Sequence, residues 1–519
     1  AGPAAEENSG KRVAFVTVPL SVPVRIAAAL AAEMAGRGFQ VDVLVGAHGL
    51  TAALEEELAA LERSWPRLAV HALDAGRELL GGLEWQRVAA STGRLGGSRI
   101  AMLEALSQVT DNSVAVDRGL ELWRAMTKVL ASLRPDVVVA DHFLRLVQLW
   151  AEHKHLPTIF MHTPYFNLGV PTGCARLSRW QRRSLEELLE FRHPFAALER
   201  GRPELGVPGN ARLTLGEGPD GLRKAEGMSP HTLVFCEPEF LNASMACLPP
   251  RVHVVGPCLD RDDRGVDEQL IPWFEAAEAR GQRVLYVAFG TLGNGFFTAE
   301  AMGTLLDAFA KLGHGWRVLW NLPTALRPLL EQSGRPWDTD RVRVEACVRQ
   351  RAVLAHHAVR LFLTHGGLSA VNEAIGCGVP LVCLPLFCDQ FEVAEAVSRH
   401  GLGLVFHKDE LLAARARRLA RLLLRAAEDP LYRGTARRHA KLMRIRGSCR
   451  RAADVIESIV HGGADFQELW CGPPADLTAR GRRLFGLACC FRGLNHACTE
   501  ARAAVAECLP RLPRASPRR

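Results

Sequence analysis

The sequence predicts an α/β protein made of two doubly wound, mainly parallel sheets that face one another across a cleft. Three observations carry this. At 519 residues and 48% hydrophobic the chain exceeds what one core usually holds, since domains tend to split beyond about 250 to 300 residues. Short β-branched runs alternate with helix-length apolar patterns, the rhythm of βαβ units. That rhythm occurs in two series, separated by a charged stretch that lacks apolar periodicity.

The elements follow in order. Residues 1–11 are small and polar and read as a disordered N-terminal segment. "RVAFVTV" (12–18), the helical "RIAAALAAEMAGRG" and "QVDVLVG" give strand, helix and strand within one unit. "PDVVVAD" (135–141), "LRLVQLWAEHK" and "PTIFMHTP" (157–164) give another, punctuated by Pro135 and Pro157. Residues 76–130 and 166–230 read as helical or irregular insertions, and "VHVVGPC" (252–258) closes an N-terminal domain over 12–259. A linker is placed at 260–282. The second series, over 283–465, runs through "RVLYVAFGT", a helical 298–312, "WRVLWNL", "RVRVEA", "VRLFLTH", "VPLVCLPL" and "GLGLVF", then helices from 410 to about 461. In open sheets of this kind ligands collect beyond the carboxyl ends of the strands, so the site is expected between the domains.

Charge excludes little by itself but locates something. The net charge is +8, and residues 466–519 hold nine Arg and no Lys against four acidic residues, so most of the excess sits in a basic C-terminal extension. Elsewhere the basic residues are interspersed with acidic ones, which gives no nucleic-acid footprint. Within the extension, 480–509 has amphipathic helical character, and docking on the N-terminal domain is the preferred reading over contact with a membrane surface. No apolar run is long enough to cross a bilayer, so the chain reads as soluble and, by default, cytoplasmic. Fourteen cysteines scattered singly through apolar stretches read as reduced thiols. None has metal-ligand spacing, and "DRD" at 260–262 lies in the charged linker and reads as solvated.

The densest chemistry is in "FLTHGGLSAVNEAIGCGVPLVCLPLFCDQ", residues 362–390. A buried strand ends at Thr364, His365-Gly366-Gly367 make the turn, and a helix follows. Glycines at a strand's carboxyl end and a helix's start suit an anion. Backbone N–H groups point at it, nothing blocks its approach, and the helix dipole adds positive potential. The imidazole adds a donor. Glu373, on the second turn of that helix, can accept from ribose hydroxyls, and Asp389-Gln390 follow another strand where they can hold sugar hydroxyls.

This spacing, T-H-G-G-x(5)-E-x(6)-P-L-V-x(2)-P-L-x(2)-D-Q from Thr364 to Gln390, resembles the donor-binding signature of the UDP-glycosyltransferases of family 1 type, inverting enzymes with the GT-B fold of two Rossmann-like domains. "VLYVAFGT", "VRQRAVLAHHAVRLFLTHGG", "RPELGVPG" and "VHVVGP" extend the similarity over about 12–465. The resemblance implies that His365 and the Gly366-Gly367 amides hold the diphosphate, with Gly290-Thr291 approaching from the opposite loop. It further implies that Glu373 binds ribose, that Gln350 lies by the nucleoside, and that Asp389 and Gln390 lie by the sugar. Ser369 can donate a hydrogen bond there. The UDP-sugar is a co-substrate, and neither cofactor nor metal is implied, because helix N-terminus and imidazole stabilise the departing UDP. The partners implied are a UDP-sugar and a small lipophilic acceptor in the N-terminal domain, with Tyr165, Phe166, Trp180 and Phe191 as lining candidates.

The sequence also departs from that pattern. The family's catalytic histidine falls on Pro23, which takes no proton. Asp141 matches the aspartate that orients that histidine, and Asp141, a water or His142 are the candidates to replace it. The family's uracil-stacking Trp falls on Cys347, the Pro two residues later on Arg349, and the signature's Asn-Ser pair on Ser369-Ala370. Two functions therefore lead: an inverting glycosyltransferase, or a catalytically degenerate relative that binds a nucleotide sugar or a protein partner; a nucleotide-sugar epimerase of the same architecture ranks behind both, because the signature from Glu373 to Gln390 resembles the transferases.

Overall fold

The computed structural model describes residues 8–48, 50–75, 113–141, 144, 147, 150–151, 154–162, 231–240, 252–259, 265–290, 296–386 and 389–471. The first sheet is formed by β1 (Arg12–Thr17), β2 (Gln40–Gly46), β3 (Leu68–Leu73), β4 (Val137–Asp141), β5 (Thr158–His162), β6 (His231–Val234) and β7 (Val252–Val254). Between them run α1 (Ser21–Gly36), α2 (Ala52–Ser64) and α3 (Ser113–Leu133). The strand order is β3-β2-β1-β4-β5-β6-β7, parallel throughout. The chain thus begins in the middle, winds to one edge and returns past β1 to β4, which makes the β1/β4 junction the switch point.

The strand sequences explain the layering. Val13, Phe15, Val137, Val139, Ile159 and Met161 bury against one face, while Ala14, Val16, Val138 and Ala140 bury against the other. This two-residue alternation of equally apolar faces is what a sheet covered by helices on both sides requires. Each fully buried Val, Ile or Phe contributes about 1.5–3 kcal/mol by leaving water. Pro23 lies in the first turn of α1, where its missing N–H would have no intrahelical acceptor and costs nothing.

The second sheet has the order β10-β9-β8-β11-β12-β13. Its strands are β8 (Arg283–Ala288), β9 (Trp316–Asn321), β10 (Val342–Glu345), β11 (Val359–Thr364), β12 (Leu381–Cys383) and β13 (Gly403–Val405). The helices are α4 (Ile271–Ala279), α5 (Ala299–Ala310), α6 (Arg327–Gln332), α7 (Gln350–Ala355), α8 (Leu368–Gly376), α9 (Gln390–Arg399), α10 (Lys408–Leu412), α11 (Ala416–Glu428), α12 (Pro430–Arg446) and α13 (Ser448–Cys471). One face buries Val284, Tyr286 and Phe362 under α8, and the other buries Leu285, Val287 and Leu363 under α5 and α11. The stretch read as linker is not featureless, since α4 lies within it and packs Trp273, Phe274 and Ala277 into the second unit's core.

The units share an apolar joint. Val234, Cys236, Phe240 and Val254 belong to the same cluster as the helix face of the second sheet, and Asn372 on α8 donates to the Phe235 carbonyl at 3.2 Å. The chain then crosses back, for α13 lays Ala452, Ala453, Ile456 and Ile459 on the first sheet's core. Arg37, at the end of α1, fixes this return by pairing with Asp454 at 2.7 Å and Glu457 at 2.6 Å. Here the structure corrects the reading of all cysteines as reduced, because Cys258 and Cys449 form a disulfide across a sequence separation of 191. Their proximity is created by the return of α13 beside the exit of β7, which no local spacing announces. Among the described residues no helix is long and apolar enough to cross a membrane.

Candidate active site

Strands β8 and β11 are neighbours in register, Ala288 opposite Thr364. Their carboxyl ends therefore deliver Gly290 and the His365-Gly366-Gly367 turn to the same edge, at the switch point of the second sheet. Gly290 has φ +67° and Gly366 φ +82°, both in the left-handed region that glycine enters freely. A Cβ on Gly290 would stand 2.8 Å from Cε1 and Nε2 of His365, and one on Gly367 would stand 2.5 Å from Nε2. The imidazole is thus seated between two glycines that are glycines because the ring needs their missing side chains.

Gly367 is also the N-cap of α8 and supplies no side-chain acceptor to its first turn. The leading N–H groups and the dipole of that helix consequently address the space beside His365. Burial pushes the His365 imidazole down to about 4, opposed by the hydrogen bond that the ring makes with the backbone at Ala288, so the ring is neutral at pH 7. Its Nδ1 lies 3.3 Å from Thr364 Oγ1.

Around this turn a polar chain is built from the facing elements. Tyr286, fully buried on β8, donates to Gln350 Oε1 at 3.2 Å. Gln350, the first residue of α7, donates to Glu373 Oε2 at 2.9 Å, and Ser369 donates to Oε1 at 3.4 Å. Burial raises the Glu373 carboxyl, opposed by Gln350, Arg25, Arg351 and Ser369. Arg25 belongs to α1 of the first unit and pairs with Glu57 at 2.9 Å, so its field reaches Glu373 from across the cleft. Gln390, the first residue of α9 after its N-cap Asp389, is buried, and its Oε1 accepts from the Leu386 N–H at 2.9 Å.

In the first unit Asp141 ends β4, fully buried, and its carbonyl accepts from Leu144 N–H at 2.8 Å. Pro23 is buried in the first turn of the helix that follows β1, the neighbour of β4. His142 and Thr291 lie outside the described residues, as do Tyr165, Phe166, Trp180, Phe191, the 260–262 triplet and the extension beyond residue 471. Sequence reasoning missed Arg25 and the anchoring role of Arg349. The backbone N–H and Nε of Arg349 donate to Asp267 at 2.9 and 2.8 Å, tying the loop before Gln350 to the inter-unit segment. The signal for the latter was available, since Arg349 stands where the resembling pattern has a rigid proline. Cys347, in the same loop, is exposed.

Two doubly wound units joined at an apolar seam, with an anion-suited turn at the second switch point, define a protein of GT-B architecture. The calicheamicin glycosyltransferase CalG4 has this fold at a TM-score of 0.58 and 23% identity, covering 88% of this chain and 99% of that one. UDP-glucose: anthocyanidin 3-O-glucosyltransferase in complex with UDP has it at 0.55 and 16%, covering 87% and 100%. Residues 252–443 match the family described as UDP-glucoronosyl and UDP-glucosyl transferase. The matched stretch, 192 of the 519 residues, is similar to that family. Relatives include UDP-glycosyltransferase 1 of Phaeomoniella chlamydospora, 30% identical over 216 residues, which are 40% of this chain and 43% of that protein. UDP-glycosyltransferase CGT of Oryza sativa subsp. indica is 34% identical over 199 residues, 35% of this chain and 41% of that protein. The similarity to these relatives thus spans less than half of their length.

Proposed function

We propose that the protein transfers a sugar from a UDP-sugar to a hydroxyl of a small lipophilic acceptor, with inversion at the anomeric carbon. The observation that carries this reading is the His365 imidazole seated between Gly290 and Gly367 at the uncapped start of α8. On this reading the diphosphate lies against His365 and the amides of Gly290, Gly366 and Gly367, with Thr291 completing the facing loop. Glu373 takes the ribose hydroxyls, Gln350 and Ser369 flank the nucleoside end, and Asp389 with Gln390 serves the sugar. The acceptor oxygen attacks the anomeric carbon from the face opposite the phosphate, the bond to the diphosphate breaks, and the helix N-terminus and imidazole receive the developing charge. The acceptor's proton passes to Asp141, to water or to His142. With Pro23 in place of a histidine base, acceptors that are themselves acidic, phenols or carboxylic acids, are favoured.

Pro23 and the exposed Cys347, which offers no ring for a base to stack on, favour a second reading in which the donor is bound and not turned over. Calorimetric titration of UDP and UDP-glucose into wild type, His365→Ala and Glu373→Ala tests the shared part. Saturable binding lost in both variants supports the site, and UDP release with a phenolic acceptor then separates enzyme from binder. Absence of binding at millimolar nucleotide would overturn both. The Cys258–Cys449 disulfide supports residence in an oxidising compartment in preference to the cytoplasm.

A further inference from the structure

Away from the donor edge, the turn after β6 meets α12, and three metal-ligating side chains converge there. One ligand atom from each of Glu237, Glu239 and His439 lies within 4.8 Å of the others. Glu237 is fully buried and His439 is 4% exposed. Arg446 donates to Glu237 Oε2 and to both oxygens of Glu239, yet Glu237 Oε1 and His439 Nδ1 are buried without a hydrogen-bond partner. Buried polar atoms are rarely left in that state, since each costs on the order of 1–3 kcal/mol. Glu237 Oε1 offers lone pairs, His439 Nδ1 offers one in the tautomer that carries its proton on Nε2, and Arg446 is already committed.

Gly256 has φ +87°, and a Cβ there would stand 3.7 Å from Glu237 Oε1 and 2.8 Å from Ser448 Oγ. A side chain at that position would be strained and would crowd Ser448 Oγ, while its distance to Glu237 Oε1 is an ordinary contact. His400 Nε2 is likewise buried without a partner, and the His400 and His439 rings are 6.4 Å apart.

We propose that Glu237, Glu239 and His439 form a structural site for a divalent transition metal, zinc by ligand type, which fastens the first unit's Glu237 turn to α12. One imidazole nitrogen and two carboxylate oxygens suit zinc, with water in the fourth place. The site is distant in sequence from the donor turn and takes no part in sugar transfer. Ion binding displaces no side chain, because the bridging carboxylates can serve metal and guanidinium on different lone pairs.

The test is titration of Zn²⁺ into the full chain, first stripped with chelator, reading stoichiometry by equilibrium dialysis and Tm by scanning calorimetry. Wild type is expected to bind an equivalent that His439→Gln and Glu237→Gln each lose, with Tm rising by a few degrees in wild type and in neither of these two variants. A control is needed, because Glu278, His356 and His357 form a second, more exposed cluster. The His356→Gln/His357→Gln variant is expected to keep the equivalent and the Tm rise. The proposal is overturned if saturating Zn²⁺ leaves the wild-type Tm unchanged, or if the stabilising equivalent disappears with His356 and His357. It is equally overturned if that equivalent survives in Glu237→Gln or in His439→Gln. If one of the buried-site variants does not fold, the Tm of wild type read beside that of the His356→Gln/His357→Gln variant decides the matter.

Discussion

The depressed His365 makes donor binding a proton-linked event. In the unliganded protein the ring titrates near 4, so at pH 7 about one ring in a thousand is protonated, and charging it costs about 4 kcal/mol. The neutral ring has a single N–H, and its hydrogen bond with the backbone at Ala288 uses that proton on the carbonyl. The other nitrogen then presents a lone pair, which repels a phosphate oxygen. A diphosphate against this ring therefore draws a proton onto it. The sign follows directly: the bound state holds more protons than the free state, so affinity rises as pH falls, approaching tenfold per unit between 8 and 5.5 while the bound ring stays charged. UDP-glucose is the ligand of choice, because its diphosphate has no group titrating in that window. Calorimetry in two buffers of different ionisation enthalpy at pH 7 is expected to report uptake of about one proton, and His365→Gln to abolish the uptake. Equal affinity at pH 5.5 and 7.5, with no buffer dependence, would refute the reasoning and show that the ring binds neutral. The same depressed value acts on folding, where it favours the neutral ring. Stability is unaffected above the unfolded value of about 6.5 and falls as pH drops toward 4, by about 3 kcal/mol in all, which is why the titration stops at 5.5.

Three further outcomes are expected. Gly290→Ala places a Cβ in the left-handed region and against the imidazole, so it lowers stability by about 1–2 kcal/mol in urea unfolding and also weakens UDP binding. Reduction of the Cys258–Cys449 bond, or Cys258→Ser, releases a long denatured-state loop and lowers stability by about 2–5 kcal/mol, seen as a fall in Tm. Arg349→Ala removes the ion pair with half-buried Asp267 and costs about 1–2 kcal/mol. Its effect is expected in donor KM more than in kcat, because the loop that carries Gln350 loses its anchor while the glycine turn is untouched.

What was legible in the sequence was local. Strand runs with equal burial on both faces, glycines at a strand-to-helix turn and the fixed interval from His365 to Glu373 are all consequences of a few consecutive residues. They brought Gly290, His365, Gln350 and Glu373 to one edge because adjacent parallel strands end side by side. What was illegible depends on where the chain returns. The Cys258–Cys449 bond, the reach of Arg25 toward Glu373 and the meeting of Glu237 with His439 all join elements far apart in sequence, packed together by the joint and by α13. Gln390 shows a third case. Its position in the motif suggested a contact with sugar, while its amide oxygen also accepts from the Leu386 N–H, a structural duty that a motif does not distinguish from a binding one. The aromatics of the insertions could not be assigned to core or pocket, since burial in either serves the same side chains.

The disulfide also changes what kind of object the second unit is. Cys258 and Cys449 close a covalent ring that contains β8–β13 and the whole glycine–histidine turn, and both ends of that ring are attached to the first unit. A protease that cuts any single bond inside the ring opens it without releasing a fragment, so the nicked protein migrates as one molecule until reductant is added. The nucleotide-facing half thus stays tethered through two strands of chain, and its loss requires either two cuts or one cut and a reducing agent.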